Sequence, residues 1–259
     1  MRTLTISTVF APLFLFFAQV QCVSAPAQCA GPDGLLGEGT PFETPWYDHR
    51  GEEDGPTILI TGGMHGNEPA GAAAAEAIAS WTVKKGRIVV APRMNPPALQ
   101  AKQRLIPDLP EPIGNLNRHF PTGGEVIEGV ATDLWKLFEE VKPDWVLDIH
   151  EGFAFRRINS GSVGSSVIAC ADERATALAK KMIAAVDGTI EDEDRKFTFI
   201  QNPIEASFAR AAWENAGVPS MILETTYGKY PLPDGKERRY SVSFRARQHR
   251  LMVHTLLTE

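Results

Sequence analysis

A histidine and a glutamate stand three residues apart in a loop of small side chains, GGMHGNEPAG at residues 62–71. Imidazole and carboxylate groups bind metal ions, and the glycines around His65 and Glu68 let the backbone turn without a Cβ clash. An Ala-rich segment follows. The same pair therefore has a second interpretation, a helix cap, in which a carboxylate gains from the helix dipole.

Two further polar residues end apolar segments elsewhere in the chain. His150 closes DWVLDIH at 144–150, and Glu224 closes SMILE at 220–224. In parallel sheets, ligands gather beyond the carboxyl ends of the strands, so these side chains are expected at one edge. Two imidazoles and one carboxylate, from His65, Glu68 and His150, form the protein ligand set of a catalytic zinc that keeps one position open for water.

The elements that must position these residues alternate along the chain. Short β-branched runs predict strands at 57–61, 87–92, 144–150, 166–171 and 219–225, and amphipathic or Ala-rich runs predict helices at 69–83, 131–141, 173–186 and 207–217. Residues 30–54 are expected to be an irregular lead-in with one strand. Alternation of this kind predicts an α/β fold, a mixed, mostly parallel central sheet covered on both faces as three α/β/α layers.

The N-terminus has the pattern of an export signal. A ten-residue apolar run at 9–18 follows Arg2, and Ala25–Ala27 has the A-x-A form of a cleavage site. We expect a signal peptide at 1–27, a single catalytic domain at 28–259, and an exported protein, periplasmic or extracellular, without stable membrane association after cleavage. A retained membrane anchor is the alternative. Of the two cysteines outside the signal, Cys29 and Cys170 either form a disulfide or leave Cys170 as an inert core thiol.

Charge and motif content exclude other classes of protein. The net charge is −6 and there is no long run of Lys or Arg, which excludes a nucleic-acid partner. No G-x-S-x-G pentad occurs, which excludes a serine hydrolase with a nucleophile elbow. A metal-free binding protein is the non-enzymatic alternative, but such a protein is expected to have lost one of these polar residues, and His65, Glu68, His150 and Glu224 are all present.

Five motifs in order resemble a known family. They are GGMHGNEPAG, APRMNPPAL (91–99), NLNRHFP (115–121), DIHEG (148–152) and ILET (222–225). Together, over about residues 57–226, they resemble the zinc carboxypeptidase superfamily, in particular its succinylglutamate desuccinylase and aspartoacylase-like branch. The resemblance implies a carboxypeptidase-like fold and one Zn²⁺ per chain, held by His65, Glu68 and His150.

The resemblance also implies roles for four other residues. Asn117 and Arg118 match a pair that holds the substrate carboxylate, a task that suits the planar guanidinium. Arg104 matches an arginine that polarises the scissile carbonyl. Arg93 lies close by in sequence and is the alternative residue for this role. Glu224 matches the general base, which takes a proton from the attacking water and passes it to the leaving amine.

Alternatives to these roles lie on the same segments. Glu151 is the rival base, but its side chain is expected on the opposite strand face from His150. Asp148, two residues before His150, either supports that histidine or is a structural acid.

Asn115 stands where close relatives carry Asp. An amide adds no negative charge beside a ligand histidine, which predicts that this histidine is less basic. Three tyrosines follow Glu224, namely Tyr227, Tyr230 and Tyr240. Either one of them contacts the substrate, or all three are packing residues. The Gly/Ser-rich stretch 151–166 is either a substrate-facing loop or a solvated turn.

The expected activity is zinc-dependent hydrolysis of an amide or peptide bond next to a carboxylate-bearing residue. Only 35 residues follow Glu224, whereas desuccinylase-like enzymes carry a further β domain there. We therefore expect an open cleft and a small peptide substrate, as in a carboxypeptidase. The alternative is an N-acyl-amino-acid deacylase.

Overall fold

The computed structural model describes residues 31–121, 129–232 and 234–259. The strands are β1 Gly34–Leu36, β2 Thr44–Arg50, β3 Glu53–Gly62, β4 Lys85–Ala91, β5 Trp145–Gly152, β6 Ser166–Ala169, β7 Thr198–Gln201, β8 Ser220–Thr226, β9 Lys229–Pro231 and β10 Glu237–Arg239. The helices are α1 Pro69–Ile78, α2 Pro96–Ala101, α3 Val130–Val141, α4 Glu173–Asp187, α5 Phe208–Ala216 and α6 Val242–Leu257.

Eight strands form one mixed sheet in the order β1-β2-β4-β3-β5-β8-β6-β7, and β9 and β10 form a separate hairpin. Strands β4, β3, β5 and β8 are parallel neighbours in the middle, β2 is antiparallel to β4, and β6 is antiparallel to β8. The predicted mixed, mostly parallel sheet is therefore confirmed.

Helices cover both faces of this sheet, as predicted. Ile58 and Ile60 of β3 pack with side chains of α1, α4 and α6. The intervening Leu59 points to the other face and packs with α3 and α5. This alternation follows from the two-residue period of a strand, and it builds one core on each side of the sheet.

The predicted elements are present with shifted bounds. Helix α1 ends at Ile78 rather than at residue 83, because residues 79–82 turn into β4. The lead-in contains β1, β2 and the start of β3 rather than one strand. Helix α2, strand β7 and helix α6 were not predicted. Helix α6 lacks an apolar pattern because its buried face includes Arg245, Gln248 and His249.

The expected N-terminal signal at 1–27 and Cys29 lie outside the described residues. Cys170 is fully buried, and its Sγ accepts a hydrogen bond from the Ser220 amide at 3.3 Å. Its pKa is raised by burial, as expected for an unreactive core thiol. The helices of the described ranges include none with the length and apolar composition that crossing a bilayer requires.

Candidate metal centre

The loop between β3 and α1 brings His65 and Glu68 to the carboxyl end of β3. Gly63 in this loop has φ +73°, a conformation that favours glycine. Gly66 passes so close to α2 that an added Cβ would lie 1.7 Å from the Ala98 carbonyl oxygen. The glycines therefore allow the tight packing that turns both polar side chains inward, where each is 3 % exposed.

Glu68 begins α1 but does not cap it. It occupies the N-cap position, yet its side chain makes no capping hydrogen bond. Its Oε2 instead accepts a hydrogen bond from the Glu151 amide at 3.1 Å, and both carboxylate oxygens face histidines. Glu68 therefore makes no capping hydrogen bond, and its carboxylate is directed at the two histidines instead.

His65, Glu68 and His150 converge on one point. Nδ1 of His65 lies 2.8 Å from Glu68 Oε1, Nδ1 of His150 lies 2.8 Å from Glu68 Oε2, and the two Nδ1 atoms are 3.2 Å apart. One ligand atom from each of the three buried residues lies within 4.8 Å of the others. The β3–α1 loop and strand β5 thus supply a ligand set that can bind one metal ion.

The second ring nitrogen of each histidine, Nε2, contacts a side-chain oxygen of a residue outside the ligand set. Nε2 of His65 lies 2.9 Å from Asn115 Oδ1, and Nε2 of His150 lies 2.8 Å from Asp148 Oδ2. A proton on each Nε2 that donates to these oxygens leaves the Nδ1 lone pairs free for a cation. The residues present therefore fit a divalent metal, and Asp148 takes the supporting position behind His150.

The charges around His150 also favour a cation. Burial alone would lower the pKa of His150, but Asp148 and Glu68 outweigh it and raise the pKa well above its usual value. Burial would raise the pKa of Glu68, but His65 and His150 hold it well below its usual range. For His65, burial dominates and lowers the pKa. Glu68 therefore stays ionised, as a metal ligand must.

Glu224 lies beside this cluster. It is paired in register with His150 on the adjacent parallel strand and is 6 % exposed. Its Oε2 has no hydrogen-bond partner among the described residues. Burial raises the pKa of Glu224 well above its usual value, with Glu68 and Asp148 adding to the effect. The free Oε2 beside the ligand cluster is in the position that a general base requires.

The rival base, Glu151, points away from the cluster as expected. Its Oε1 lies 2.6 Å from Arg245 Nε in α6, and its Oε2 accepts a hydrogen bond from the Ala70 amide at 2.7 Å. Its carboxylate is therefore bound on the face of the sheet that packs against α1 and α6.

Of the three candidate arginines, two lie at the ligand cluster and one lies outside it. Nη1 of Arg104 donates to Glu68 Oε1 at 2.8 Å and lies 3.2 Å from His65 Nδ1. Arg93 instead forms an ion pair with Glu76, and both side chains are half exposed. Arg118 is half buried, and burial, followed by the charge of Arg104, lowers its pKa. The structure thus brings Arg104 and Arg118 to the cluster and leaves Arg93 outside.

Asn117 has a second task that the sequence pattern did not reveal. Its Nδ2 donates to Asp148 Oδ2 at 3.0 Å, and its Oδ1 accepts from the Phe208 amide at 2.9 Å. Asn117 therefore orients the carboxylate behind His150. Its role in binding substrate stays a prediction.

One cleft of about 640 Å³ is lined by the three ligand residues together with Glu224, Arg104, Arg118 and Asn117. Tyr227 also lines it, whereas Tyr230 and Tyr240 pack against Phe155. Gly161 and Val163 line the cleft as well, so the stretch 151–166 faces the site rather than forming only a solvated turn. The ligand cluster, the candidate base and two arginines therefore share a single space.

The sheet, the His-Glu-His cluster at its carboxyl edge and the adjacent glutamate define a metallohydrolase of the zinc carboxypeptidase-like fold. Residues 54–229 match the family model described as "Succinylglutamate desuccinylase/Aspartoacylase catalytic domain". The chain belongs to this family, as the resemblance of the five motifs implied.

Known proteins similar to the chain agree with this assignment. Over 108 residues it is 40 % identical to an N-alpha-acetyl-L-2,4-diaminobutyric acid deacetylase from Halomonas elongata, covering 40 % of this chain and 30 % of that protein. Product-bound cell shape determinant Csd4 from Helicobacter pylori shares the fold with TM-score 0.67 and 17 % identity, over 83 % of this chain and 54 % of that one.

A third similar protein is the succinylglutamate desuccinylase/aspartoacylase from Rhodobacter sphaeroides, with TM-score 0.57 and 22 % identity, over 83 % of this chain and 58 % of that one. The chain spans just over half the length of both solved structures and under a third of the deacetylase. The family model and the deacetylase are both named for hydrolysis of acylated amino acids, so the chain belongs to a family of hydrolases.

Proposed function

We propose that the chain is an exported, zinc-dependent hydrolase that cleaves an amide or peptide bond next to a carboxylate-bearing residue, as a carboxypeptidase does. The observation that carries the proposal is the convergence of the His65, Glu68 and His150 ligand atoms beside Glu224 in one cleft. Two arginines at the same cleft supply the positive charge that a carboxylate-bearing substrate requires.

The ligand set favours zinc, because two imidazoles and one carboxylate are typical of catalytic zinc sites. When bound there, zinc supplies a Lewis acid that polarises the scissile carbonyl and makes a water more acidic. A cation held by His65, Glu68 and His150 would stabilise the ionised form of Glu224 and so counter the effect of its burial.

The protein's own groups then divide the reaction between them. Arg118 binds the carboxylate of the residue that will leave, which orients the amide bond. Glu224 takes one proton from the attacking water and returns it to the amide nitrogen as the C–N bond breaks. Arg104 stabilises the negative charge that develops on the carbonyl oxygen. The acyl product keeps the hydroxyl group of the water and the amine gains the other proton, so the products are a carboxylic acid, which then ionises, and an amine, and the atoms of one water molecule are accounted for.

The cleft volume of about 640 Å³ lies within the range of sites that enclose drug-sized ligands, which leaves room for a short peptide. The second candidate is N-acyl-amino-acid deacylation, and it is favoured by the 40 % identity to a deacetylase. In both reactions the carboxylate-bearing amino acid is released as the amine product. Arg118, Glu224 and Arg104 would therefore have the same roles in deacylation as in peptide cleavage.

The experiment is metal analysis of purified protein followed by a substrate screen. We expect about one zinc per chain, loss of activity on chelation and recovery on adding zinc. Turnover of short peptides supports the carboxypeptidase, and turnover of N-acyl amino acids without peptides supports the deacylase. Protein that binds no divalent metal, or that hydrolyses neither class when loaded, would contradict the proposal.

Export rests on the apolar run at 9–18 and the Ala25–Ala27 cleavage pattern. Expression of the full chain in a bacterial host and sequencing of the mature N-terminus tests it. We expect a protein that begins at Gln28 in the periplasm or medium. An intact Met1 terminus on cytoplasmic protein would contradict export.

A further inference from the structure

One row of side chains crosses the sheet from strand to strand, and part of it forms the floor of the cleft. In register, the row runs Thr61 on β3, Asp148 on β5, Ile222 on β8, Ile168 on β6 and Ile200 on β7. Its first two members are polar and joined by a hydrogen bond of 2.7 Å from Thr61 Oγ1 to Asp148 Oδ1. Its last three are isoleucines, and all three line the cleft.

These isoleucines, Ile168, Ile200 and Ile222, form what we call the isoleucine floor. Ile168 and Ile222 are 7 % and 4 % exposed, and Ile200 on the outermost strand of the sheet is half buried against them. Val163, Ile204 and Phe153 continue the apolar lining and are exposed at 36 %, 54 % and 52 %. The floor is therefore continuous with an apolar surface that is open to a ligand.

Among the residues that the structure describes, this part of the cleft presents no charge that could pair with a second charge on a substrate. Among the described residues that line the cleft, the charged and titratable ones are those of the metal centre, the two arginines, Tyr227 and Glu151. The carboxylate of Glu151 is already paired with Arg245 on the other face of the sheet. A charged substrate side chain above the isoleucines would lose water without gaining a partner, which is unfavourable.

The position of the floor relative to Glu224 indicates which part of the substrate it meets. Ile222 lies two residues before Glu224 on β8 and so shares its strand face. The group that returns a proton to the leaving nitrogen must lie on the leaving side of the bond. The floor is accordingly assigned to the residue that departs as the amine, because Ile222 adjoins the group that must reach the leaving nitrogen and Arg118, which is assigned to the carboxylate of that residue, lines the same cleft.

We propose that the isoleucine floor makes this hydrolase selective for a leaving amino acid with an apolar side chain, such as leucine or phenylalanine. The inference rests on the proposed function and goes beyond it. It also separates this chain from its named relatives, since aspartate, succinylglutamate and diaminobutyric acid all carry a second charged group.

The test compares substrates that differ only in the leaving residue. N-acetyl amino acids and matched dipeptides ending in Leu, Phe, Gly, Asp or Lys are assayed with the zinc-loaded full chain. We expect kcat/KM for Leu and Phe to exceed that for Asp and Lys by about 100-fold, because one methylene group alone is worth roughly 10- to 200-fold in such pockets. Equal or faster turnover of Asp or Lys overturns the selectivity while leaving the hydrolase intact.

Variants of Ile200 tie the selectivity to the floor. Ile200→Asp should raise the Lys to Leu ratio of kcat/KM at least about tenfold, because the new carboxylate pairs with the ammonium group. The matched control is Val242→Asp, at an exposed position at the start of α6, which should leave the ratio unchanged. If Ile200→Asp does not fold, Ile200→Ala should lower kcat/KM for Leu about tenfold and leave Gly unaffected. Unchanged ratios in a folded Ile200 variant overturn the assignment.

Failure of the proposed function gives a separate result. If the wild-type chain hydrolyses none of these compounds, calorimetry measures the binding of N-acetyl-leucine and N-acetyl-aspartate directly. At least tenfold tighter binding of N-acetyl-leucine supports the floor as a side-chain site even then. Equal binding, or tighter binding of N-acetyl-aspartate, overturns it.

Discussion

Glu151 and Arg245 form a buried ion pair behind the candidate metal centre, with Oε1 and Nε 2.6 Å apart and both side chains almost fully excluded from solvent. Glu151 follows the ligand His150 directly, and its other oxygen accepts the Ala70 amide, two residues after the ligand Glu68. The pair therefore ties α6 to both ligand-bearing segments. A buried charge of this kind is costly to leave unpaired.

Replacement of Arg245 by methionine should lower the free energy of unfolding by about 3–5 kcal/mol, because the Glu151 carboxylate stays buried without its partner. Urea denaturation of the metal-free protein measures this. Arg247→Met, at an exposed position on the same helix, is the matched control and should stay within about 0.5 kcal/mol of wild type. A similar small loss for Arg245→Met would show that the pair is not a structural tie.

Glu224→Gln should reduce kcat by about 10²- to 10⁴-fold, the range for losing a general base, and should still bind one metal per chain. Metal analysis and steady-state kinetics on the same preparation check both parts. Glu76→Gln is the control, since Glu76 lies at the surface and pairs with Arg93. A near-normal rate in Glu224→Gln would assign the base to another residue.

Asp148→Asn should weaken metal binding by about 10- to 100-fold, because the carboxylate behind His150 no longer accepts a charge-assisted hydrogen bond from Nε2. Competition with a chromophoric chelator measures the metal Kd. Asp54→Asn, at an exposed position on β3, is the control. Unaltered affinity in Asp148→Asn would mean that Asp148 is a structural acid without influence on the metal.

His249 predicts an acid-labile fold. Burial, followed by the positive charges of His150 and Arg245, lowers its pKa to about 3. The unfolded chain has a histidine pKa near 6.5, so between these values the unfolded state binds the proton and the folded state does not. The stability contribution is therefore present above about pH 6.5 and is lost as the pH falls toward 3.

Between pH 7 and pH 4.5, this residue alone should lower the free energy of unfolding by about 2–3 kcal/mol. His249→Gln can keep the contact to Thr225 Oγ1, 2.9 Å from Nε2 in the structure, and should show a smaller loss by that amount. Urea denaturation of both proteins at the two pH values tests this. Identical pH dependence in wild type and variant would contradict the assignment.

Much of the centre could be predicted from local patterns. His65 and Glu68 stand in a glycine-rich loop after an apolar run, and His150 and Glu224 end apolar runs of strand length. Each of these motifs spans only a few residues, so it can be recognised without knowing which distant residues are in contact. The prediction that Glu151 faces away from the centre also needed only the two-residue period of a strand.

Other features depend on contacts between distant residues. Helix α6 was not predicted because Arg245 and His249 lie on its buried face, where a helical pattern requires apolar residues. Arg104 and Arg93 are eleven residues apart in similar surroundings, and only the fold shows that Arg93 meets Glu76 and Arg104 meets Glu68. The choice between a helix cap and a metal ligand for Glu68 also needed the position of His150.

The amino-acid sequence by itself indicated the alternation of strands and helices and the ligand types, because periodicity and residue chemistry are local properties, and the candidate base followed from the resemblance of the five motifs to a known family. The tertiary structure decided which side chains meet. The register of β8, β6 and β7 places Ile222, Ile168 and Ile200 in one row beside the metal centre, although up to 54 residues separate them along the chain. Strand pairing sets that row, and no local pattern encodes the order in which strands pair.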